Sequence, residues 1–219
     1  LLQFLYYWFI SKKNKARPQK KLDLKELLAA SSLKLTETQI SQADKYLDQI
    51  LKWNKTRNLV SRNLGKKDLA DHFLDCAVLH KHLKPGSVID LGTGSGFPGI
   101  CLGITDPNRM ITLVDSNRKK TSFLTHIKNE LGLNFVSVKN ARVEEINQIK
   151  EANIVCRAFK EPAGLLKSLE NKISKKNKII LMVSAKSALS VPGYDIKYKE
   201  SEASEILEKK RGFLEIQMS

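Results

Sequence analysis

The chain has 219 residues, enough for one well-buried α/β domain with a modest extension and too few for two ordinary domains. Its hydrophobic share of 42% and charged share of 28% are those of a soluble globular protein, which argues against a disordered chain and against a membrane bundle. The formal net charge of +15 favours a polyanionic partner such as RNA or DNA, although a basic proteome with a lysine-rich surface would give the same balance.

An apolar and aromatic run at residues 1–10 is followed by six basic residues, with no acid before Asp23. The run is about half of the ~20 residues that a membrane-spanning helix needs, and its basic cluster follows it, whereas a signal peptide has the opposite order. We therefore expect residues 1–22 to be a poorly ordered basic extension without stable membrane association.

Residues 23–84 are predicted to form a small helical cap. Leu24, Leu27 and Leu28 indicate a first short helix. The apolar residues of a longer second helix recur at helical spacing and are Ile40, Ala43, Leu47, Ile50 and Leu51. Thr36 and Gln39 form a capping box at the start of that second helix. A third helix is predicted over about 67–83, where a Pro-Gly turn ends it.

Residues 85–219 have the alternating pattern of an α/β core. Short apolar runs predict strands at 87–91, 110–115, 134–139, 154–157, 178–183, 194–198 and 213–218. One helix follows Asp115 and stops at Gly132, and another is predicted at about Pro162–Leu169. Strands alternating with helices indicate a doubly wound, mostly parallel seven-stranded sheet, of which the last two strands could run antiparallel.

The cysteines and histidines show no pattern of a disulfide framework or a metal site. Cys76, Cys101 and Cys156 are odd in number and form no CxxC pair, and the four histidines lack metal-ligand spacing. We expect no metal, and a reducing cytoplasm as the location.

A glycine-rich turn after the first predicted strand carries the chemical information. Gly94-x-Gly96-x-x-Gly99 fits both a dinucleotide site and an S-adenosylmethionine site, and Asp115 would hold a ribose in either case. Asp90, at the end of the strand, favours S-adenosylmethionine, because a carboxylate attracts the ammonium group of a methionine moiety and repels a pyrophosphate. A dinucleotide remains the alternative.

Several further motifs occur in a fixed order around this turn. They are Lys52–Lys55, Asn58-Leu59, His72–Asp75, Val88–Ile100, Leu113–Ser116, Lys119-Lys120, Ala141–Glu145 and Cys156–Phe159. Together they resemble the motifs of the bacterial 16S ribosomal RNA guanine-N7 methyltransferases, also called the glucose-inhibited division protein B family. The resemblance implies a class I S-adenosylmethionine-dependent methyltransferase fold, with 16S ribosomal RNA or the small ribosomal subunit as partner, and a monomer.

The turn and the resemblance together give a predicted site. The predicted cofactor-binding residues are Asp90, Gly92, Gly94, Gly96, Phe97, Asp115, Val143, Glu144 and Arg157. By resemblance Val143 and Glu144 flank the adenine, and Arg157 faces the methyl-transfer centre as the catalytic residue. A structural pairing of Arg157 with a strand-end carboxylate such as Asp90 is the alternative.

By the same resemblance, the RNA-binding residues are Lys119, Arg142, Lys186 and Arg211. The family's usual Lys-Gly is Lys186-Ser187 here, so Lys186 could equally be a solvated loop lysine. Phe159 is a candidate for stacking on a base, whereas Trp53 is better explained as a packing anchor. Two other functions stay open: an RNA adaptor that binds the cofactor without catalysis, and a nicotinamide-dependent oxidoreductase.

Overall fold

A computed structural model describes residues 21–157, 162–184 and 189–219. Nearly all of the predicted basic extension, together with Phe159 and Lys186, lies outside these described residues. The helices are α1 (Leu24–Ala30), α2 (Glu37–Arg57), α3 (Lys66–Ala77), α4 (Gly99–Thr105), α5 (Arg118–Glu130), α6 (Pro162–Leu169) and α7 (Ala203–Ile206), with 3-10 turns at Val78–His82 and Val143–Glu145. The strands are β1 (Val88–Leu91), β2 (Ile111–Asp115), β3 (Val136–Asn140), β4 (Asn153–Arg157), β5 (Lys178–Val183), β6 (Tyr194–Glu200) and β7 (Gly212–Met218).

The strands form one seven-stranded sheet in the order β3-β2-β1-β4-β5-β7-β6. The pairs from β3 to β5 are parallel, and β7 lies antiparallel between β5 and β6. The predicted mostly parallel, seven-stranded sheet is therefore confirmed. Of its last two strands only β7 runs opposite to the rest, because β6 is antiparallel to β7 and so has the direction of β5. In the sheet, β2 and β3 lie on one side of β1, whereas β4 and β5 lie on its other side. The strand order therefore reverses at β1. Ligands of open α/β sheets bind at such a switch point, beyond the carboxyl ends of the strands.

Hydrophobic cores cover both faces of the sheet. Val88 in β1 packs on one face with the helices α1 to α5, whereas Ile89 and Leu91 pack on the other face with α6. Successive side chains of a strand point to opposite faces, and parallel strands are normally buried on both. This explains why the predicted parallel strands read as continuous apolar runs.

The predicted helices of the cap are present. Thr36 and Gln39 form the predicted capping box, in which the Gln39 amide donates to Thr36 Oγ1 over 3.2 Å. The third helix was predicted to run to about residue 83, but its α-helical part ends at Ala77 and continues as a tighter 3-10 turn to His82. The leucines of α1 to α3 share one core with the sheet, and the domain boundary at residue 84 stays a prediction.

Within the described part of the chain, the helices are too short or too polar to span a lipid bilayer.

Candidate functional site

The glycine-rich turn between β1 and α4 depends on backbone conformations that favour glycine. Gly92, Gly94 and Gly96 all have positive φ angles, of 71°, 63° and 107°. A Cβ atom on Gly96 would lie 2.6 Å from Ile100 Cγ1 and 2.9 Å from the Tyr46 hydroxyl oxygen. The Tyr46 hydroxyl in turn donates to the carbonyl oxygen of Ser95 over 2.9 Å, so the second helix of the cap fixes the turn.

Asp90 lies beneath this turn and is fully buried. Its Oδ2 accepts a hydrogen bond from the Gly99 amide over 2.7 Å, which ties the end of β1 to the start of α4. The Thr93 hydroxyl lies close enough to the Asp90 carboxylate to interact with it, and beyond this contact Asp90 Oδ1 and Thr93 Oγ1 are buried without a hydrogen-bond partner among the described residues. Burial raises the pKa of Asp90 to about 7, because desolvation disfavours the charged form.

A first cavity of about 270 Å³ opens at the carboxyl ends of β1 and β2. It is lined by Gly92, Val114, Asp115, Ser116, Ala141, Arg142, Val143 and Glu144. Asp115 accepts hydrogen bonds from the amides of Gly94, over 2.9 Å, and Asn117, over 2.8 Å. These two bonds hold the Asp115 carboxylate at the cavity wall, while Val143, in a 3-10 turn, gives the same cavity an apolar side.

Arg157, the last residue of β4, lies outside this first cavity. One of its terminal nitrogens lies 2.6 Å from His72 Nδ1, and its guanidinium carbon lies 5.6 Å from the centre of the Phe97 ring. Burial, and then the charges of Arg157 and Arg211, lower the pKa of His72 to about 4. His72 is therefore neutral near pH 7, and its Nδ1 can accept a hydrogen bond from Arg157.

A second cavity of about 250 Å³ contains Arg157. It lies beyond the ends of β4 and β5 and is lined by Asp75, Arg157, Met182, Val183, Ser184 and Arg211. Arg211 Nε lies 3.5 Å from Asp75 Oδ2. Two guanidinium groups and one carboxylate thus line a cavity beside the switch point of the sheet.

The glycine-rich turn links the two cavities. Gly92 lines the first cavity, and Phe97, later in the same turn, lies against Arg157 of the second. Because β1 and β4 are adjacent and parallel, both cavities open at the same edge of the sheet. A bound nucleoside in the first cavity and a second reactant beside Arg157 could therefore approach each other.

The structure separates the predicted RNA-binding residues. Arg142 lines the first cavity and Arg211 the second, whereas Lys119 is an exposed residue in the first turn of α5. Lys186 lies outside the described residues. The predicted cofactor residues also fall into two groups. Those that line the first cavity are Gly92, Asp115, Val143 and Glu144, and those that do not are Asp90, Gly94, Gly96, Phe97 and Arg157.

Sequence reasoning assigned no role to Asp75, which lines the second cavity, or to His72, which contacts Arg157 of that cavity. His72 and Asp75 occur in a motif noted above, and their separation places both on one face of α3. This spacing was the feature of the sequence that could have indicated a shared role for the two residues. It could not show that this face of α3 meets the end of β4, since the two segments are far apart in the chain.

Comparisons with known proteins identify a family and individual proteins to which this chain is similar. The family profile described as "rRNA small subunit methyltransferase G" matches residues 39–211. A Francisella philomiragia protein of that name is 34% identical over 159 residues, which cover 73% of this chain and 78% of the relative. A protein of the same name from Chromobacterium violaceum is 40% identical over 147 residues, covering 66% of this chain and 70% of the relative.

Solved structures show the same fold at low sequence identity. A mutant form of the protein MtNAS, crystallised with S-adenosylmethionine, has a TM-score of 0.56 at 14% identity and covers 84% of this chain and 73% of its own. A SAM-dependent methyltransferase from Aquifex aeolicus has a TM-score of 0.50 at 16% identity and covers 78% of this chain and 98% of its own. These likenesses concern the fold.

Proposed function

The chain belongs to the family of small-subunit ribosomal RNA methyltransferases G, and on this premise we propose that it transfers a methyl group from S-adenosylmethionine to N7 of a guanine in 16S ribosomal RNA. One observation supports this proposal above the others. A cavity with the Asp115 carboxylate and a cavity with two arginines open at the same edge of the sheet, and residues of the glycine-rich turn line the first cavity and contact Arg157 of the second.

The first cavity has the features that S-adenosylmethionine requires. Asp115 presents a carboxylate to ribose hydroxyls, and Val143 offers an apolar surface to an adenine ring. Beneath the turn, Asp90 Oδ1 and Thr93 Oγ1 have no hydrogen-bond partner among the described residues beyond their contact with each other, which leaves the Asp90 carboxylate available to the ammonium group of a methionine moiety. When bound, this cofactor supplies a methyl group on a positively charged sulfur.

The residues of the chain then have positioning roles. Guanine N7 carries an in-plane lone pair and no proton, so its methylation needs no general base. Arg157 would hold the target nucleotide through charge-assisted hydrogen bonds, and neutral His72 together with the Phe97 ring would fix the orientation of Arg157. Arg211 lines the same cavity and could contact a phosphate or the base. Orientation of this kind can supply most of the acceleration of a two-reactant step.

A methyl-transfer assay tests the proposal. Purified protein is incubated with methyl-labelled S-adenosylmethionine and small ribosomal subunits from a strain that lacks the modification. We expect label in 16S ribosomal RNA, and mass spectrometry of nuclease digests should identify 7-methylguanosine. Cofactor binding without transfer would favour the RNA adaptor, whereas binding of NAD instead of S-adenosylhomocysteine would favour the oxidoreductase.

Arg157→Ala distinguishes the roles of the two cavities, because methyl transfer and cofactor affinity are both measured for this variant. Arg157 lines the second cavity only, so its removal should reduce transfer by about 100-fold or more, while S-adenosylhomocysteine affinity changes by less than about threefold. Arg109→Ala is the matched control, because Arg109 bonds to Asp106 and to the Gly86 carbonyl at the opposite edge of the sheet. Equal losses of transfer in both variants would contradict the role of Arg157.

A further inference from the structure

Asp75 carries a buried carboxylate that accepts no hydrogen bond from the described residues. Its side chain is 6% exposed and lines the second cavity. Its ion pair with Arg211 Nε spans 3.5 Å, too long for a good hydrogen bond, and the described part of the chain places no hydrogen-bond donor on it. Asp71, one helical turn earlier on α3, differs, because Lys209 Nζ donates to its Oδ2 over 2.6 Å.

Such a carboxylate is costly unless a ligand completes its hydrogen bonds. Burial of a charged group without donors disfavours the folded state, and the charges of Arg157 and Arg211 offset this cost only in part. Burial accordingly raises the pKa of Asp75, although both arginines act to lower it. The two lone-pair-bearing oxygens at the cavity wall are thus suited to a ligand that brings two adjacent N–H donors.

We propose that Asp75 recognises the target guanine by accepting hydrogen bonds from its N1–H and N2–H groups. This inference rests on the function proposed above and names the residue that selects the base. Guanine is the nucleobase that places two adjacent N–H donors on one edge, with the O6 acceptor beside them. Arg157 and Arg211 line the same cavity as Asp75, so a guanidinium donor is available for O6.

The assignment agrees with the chemistry of methyl transfer and with base selection. N7 lies on the opposite side of the purine from N1 and N2, so a carboxylate that holds this edge leaves N7 uncovered. Adenine would direct the N1 lone pair at Asp75, and two acceptors facing each other repel. Asp75 thus discriminates against adenine as well as binding guanine.

The test is a cycle that pairs one protein change with one base change. The methylated nucleotide is first mapped, and 16S ribosomal RNA is then assembled by splinted ligation with guanine or inosine at that position. Inosine differs from guanosine only by the absence of the N2 amino group. We expect kcat/KM of the wild-type enzyme to fall by about 10- to 100-fold on this replacement, the usual effect of losing a hydrogen bond to a charged group.

Asp75→Asn should lower kcat/KM for guanine and shrink the guanine-to-inosine ratio to within about threefold. Asp71→Asn, on the same helix and paired with Lys209, is the matched control and should keep the wild-type ratio. If Asp75→Asn is too unstable to assay, Asp75→Glu keeps the carboxylate and should still reject adenine at the target position.

The outcomes distinguish this inference from the function on which it rests. If the wild-type enzyme methylates no small-subunit RNA, the proposed function fails. If it methylates guanine and inosine equally well, or if Asp75→Asn retains the full guanine-to-inosine ratio, the assignment of Asp75 is overturned while the function stands. A structural role limited to placing the two arginines would lower both rates equally and leave the ratio unchanged.

Discussion

The buried carboxylate of Asp90 should make the stability of the fold depend on pH, and Asp90→Asn tests this dependence. Burial raises the pKa of Asp90 from 3.8 to about 7. Below pH 3.8 the group is protonated in both the folded and the unfolded chain, and its contribution to stability is fully present. As pH rises toward 7 the unfolded chain releases its proton while the folded chain keeps it, so stability is progressively lost.

The size of this effect follows from the pKa difference. A shift of about three pH units corresponds to about 4 kcal/mol, at about 1.36 kcal/mol per unit. Asparagine can still accept from the Gly99 amide but does not ionise. The free energy of unfolding of Asp90→Asn minus that of the wild type should therefore increase by about 4 kcal/mol between about pH 4 and pH 8.

Urea unfolding of the cofactor-free protein, measured at half-unit steps of pH, gives this difference directly. Asp195→Asn removes an exposed carboxylate, 56% accessible, and serves as the control, for which a nearly flat difference is expected. An Asp90→Asn difference as flat as that of the control would refute the claim that burial governs this group.

The same carboxylate predicts proton release when the cofactor binds. A cation placed beside Asp90 Oδ1 would lower the pKa of Asp90, so binding of S-adenosylhomocysteine at about pH 6 should release close to one proton. Calorimetry in two buffers of different ionisation enthalpy measures this number, and Asp90→Asn should abolish it. Equal heats in the two buffers for the wild type would show that no cation pairs with Asp90.

Three other predictions concern the turn, His72 and the surface charge. Gly96→Ala should lower the free energy of unfolding by about 2–4 kcal/mol in urea titrations, because its Cβ would clash with Ile100, whereas Gly94→Ala should cost about 1 kcal/mol, since its Cβ has no neighbour closer than 4.0 Å. NMR of labelled histidines should show one imidazole, absent in His72→Gln, with a midpoint near pH 4. Its pKa is depressed in the folded state, so its contribution to stability should be lost as pH falls from 6.5 through 4; a midpoint near 6.5 would contradict the burial argument. RNA binding should weaken steeply with salt, and Arg142→Ala should reduce the log–log slope by about one; an unchanged slope would remove Arg142 from the phosphate-binding residues.

Local patterns in the sequence determined the elements of this protein and the position of its glycine-rich turn. The apolar runs of β1 and β2, the capping box at Thr36 and the turn at Gly132 depend on interactions between residues close in the chain, which periodicity and glycine spacing reveal. The seven apolar runs predicted the seven strands, the family resemblance added the expectation of a class I methyltransferase fold, and both were confirmed.

Only the tertiary structure showed how the predicted site residues are distributed around two cavities. Asp90 lies at the end of β1 as expected, but only the folded chain shows that its side chain is fully buried beneath the turn and that one of its oxygens accepts a hydrogen bond from the Gly99 amide. Arg157 lies at the end of β4 with neutral His72 of α3 as its closest hydrogen-bonding group among the described residues, and its place at the reaction centre stays a prediction. Which side chains meet across separate elements depends on how α3 and β7 pack against the ends of β4 and β5. No spacing within one segment encodes that packing, so Asp75 and its cavity became visible only in the folded chain.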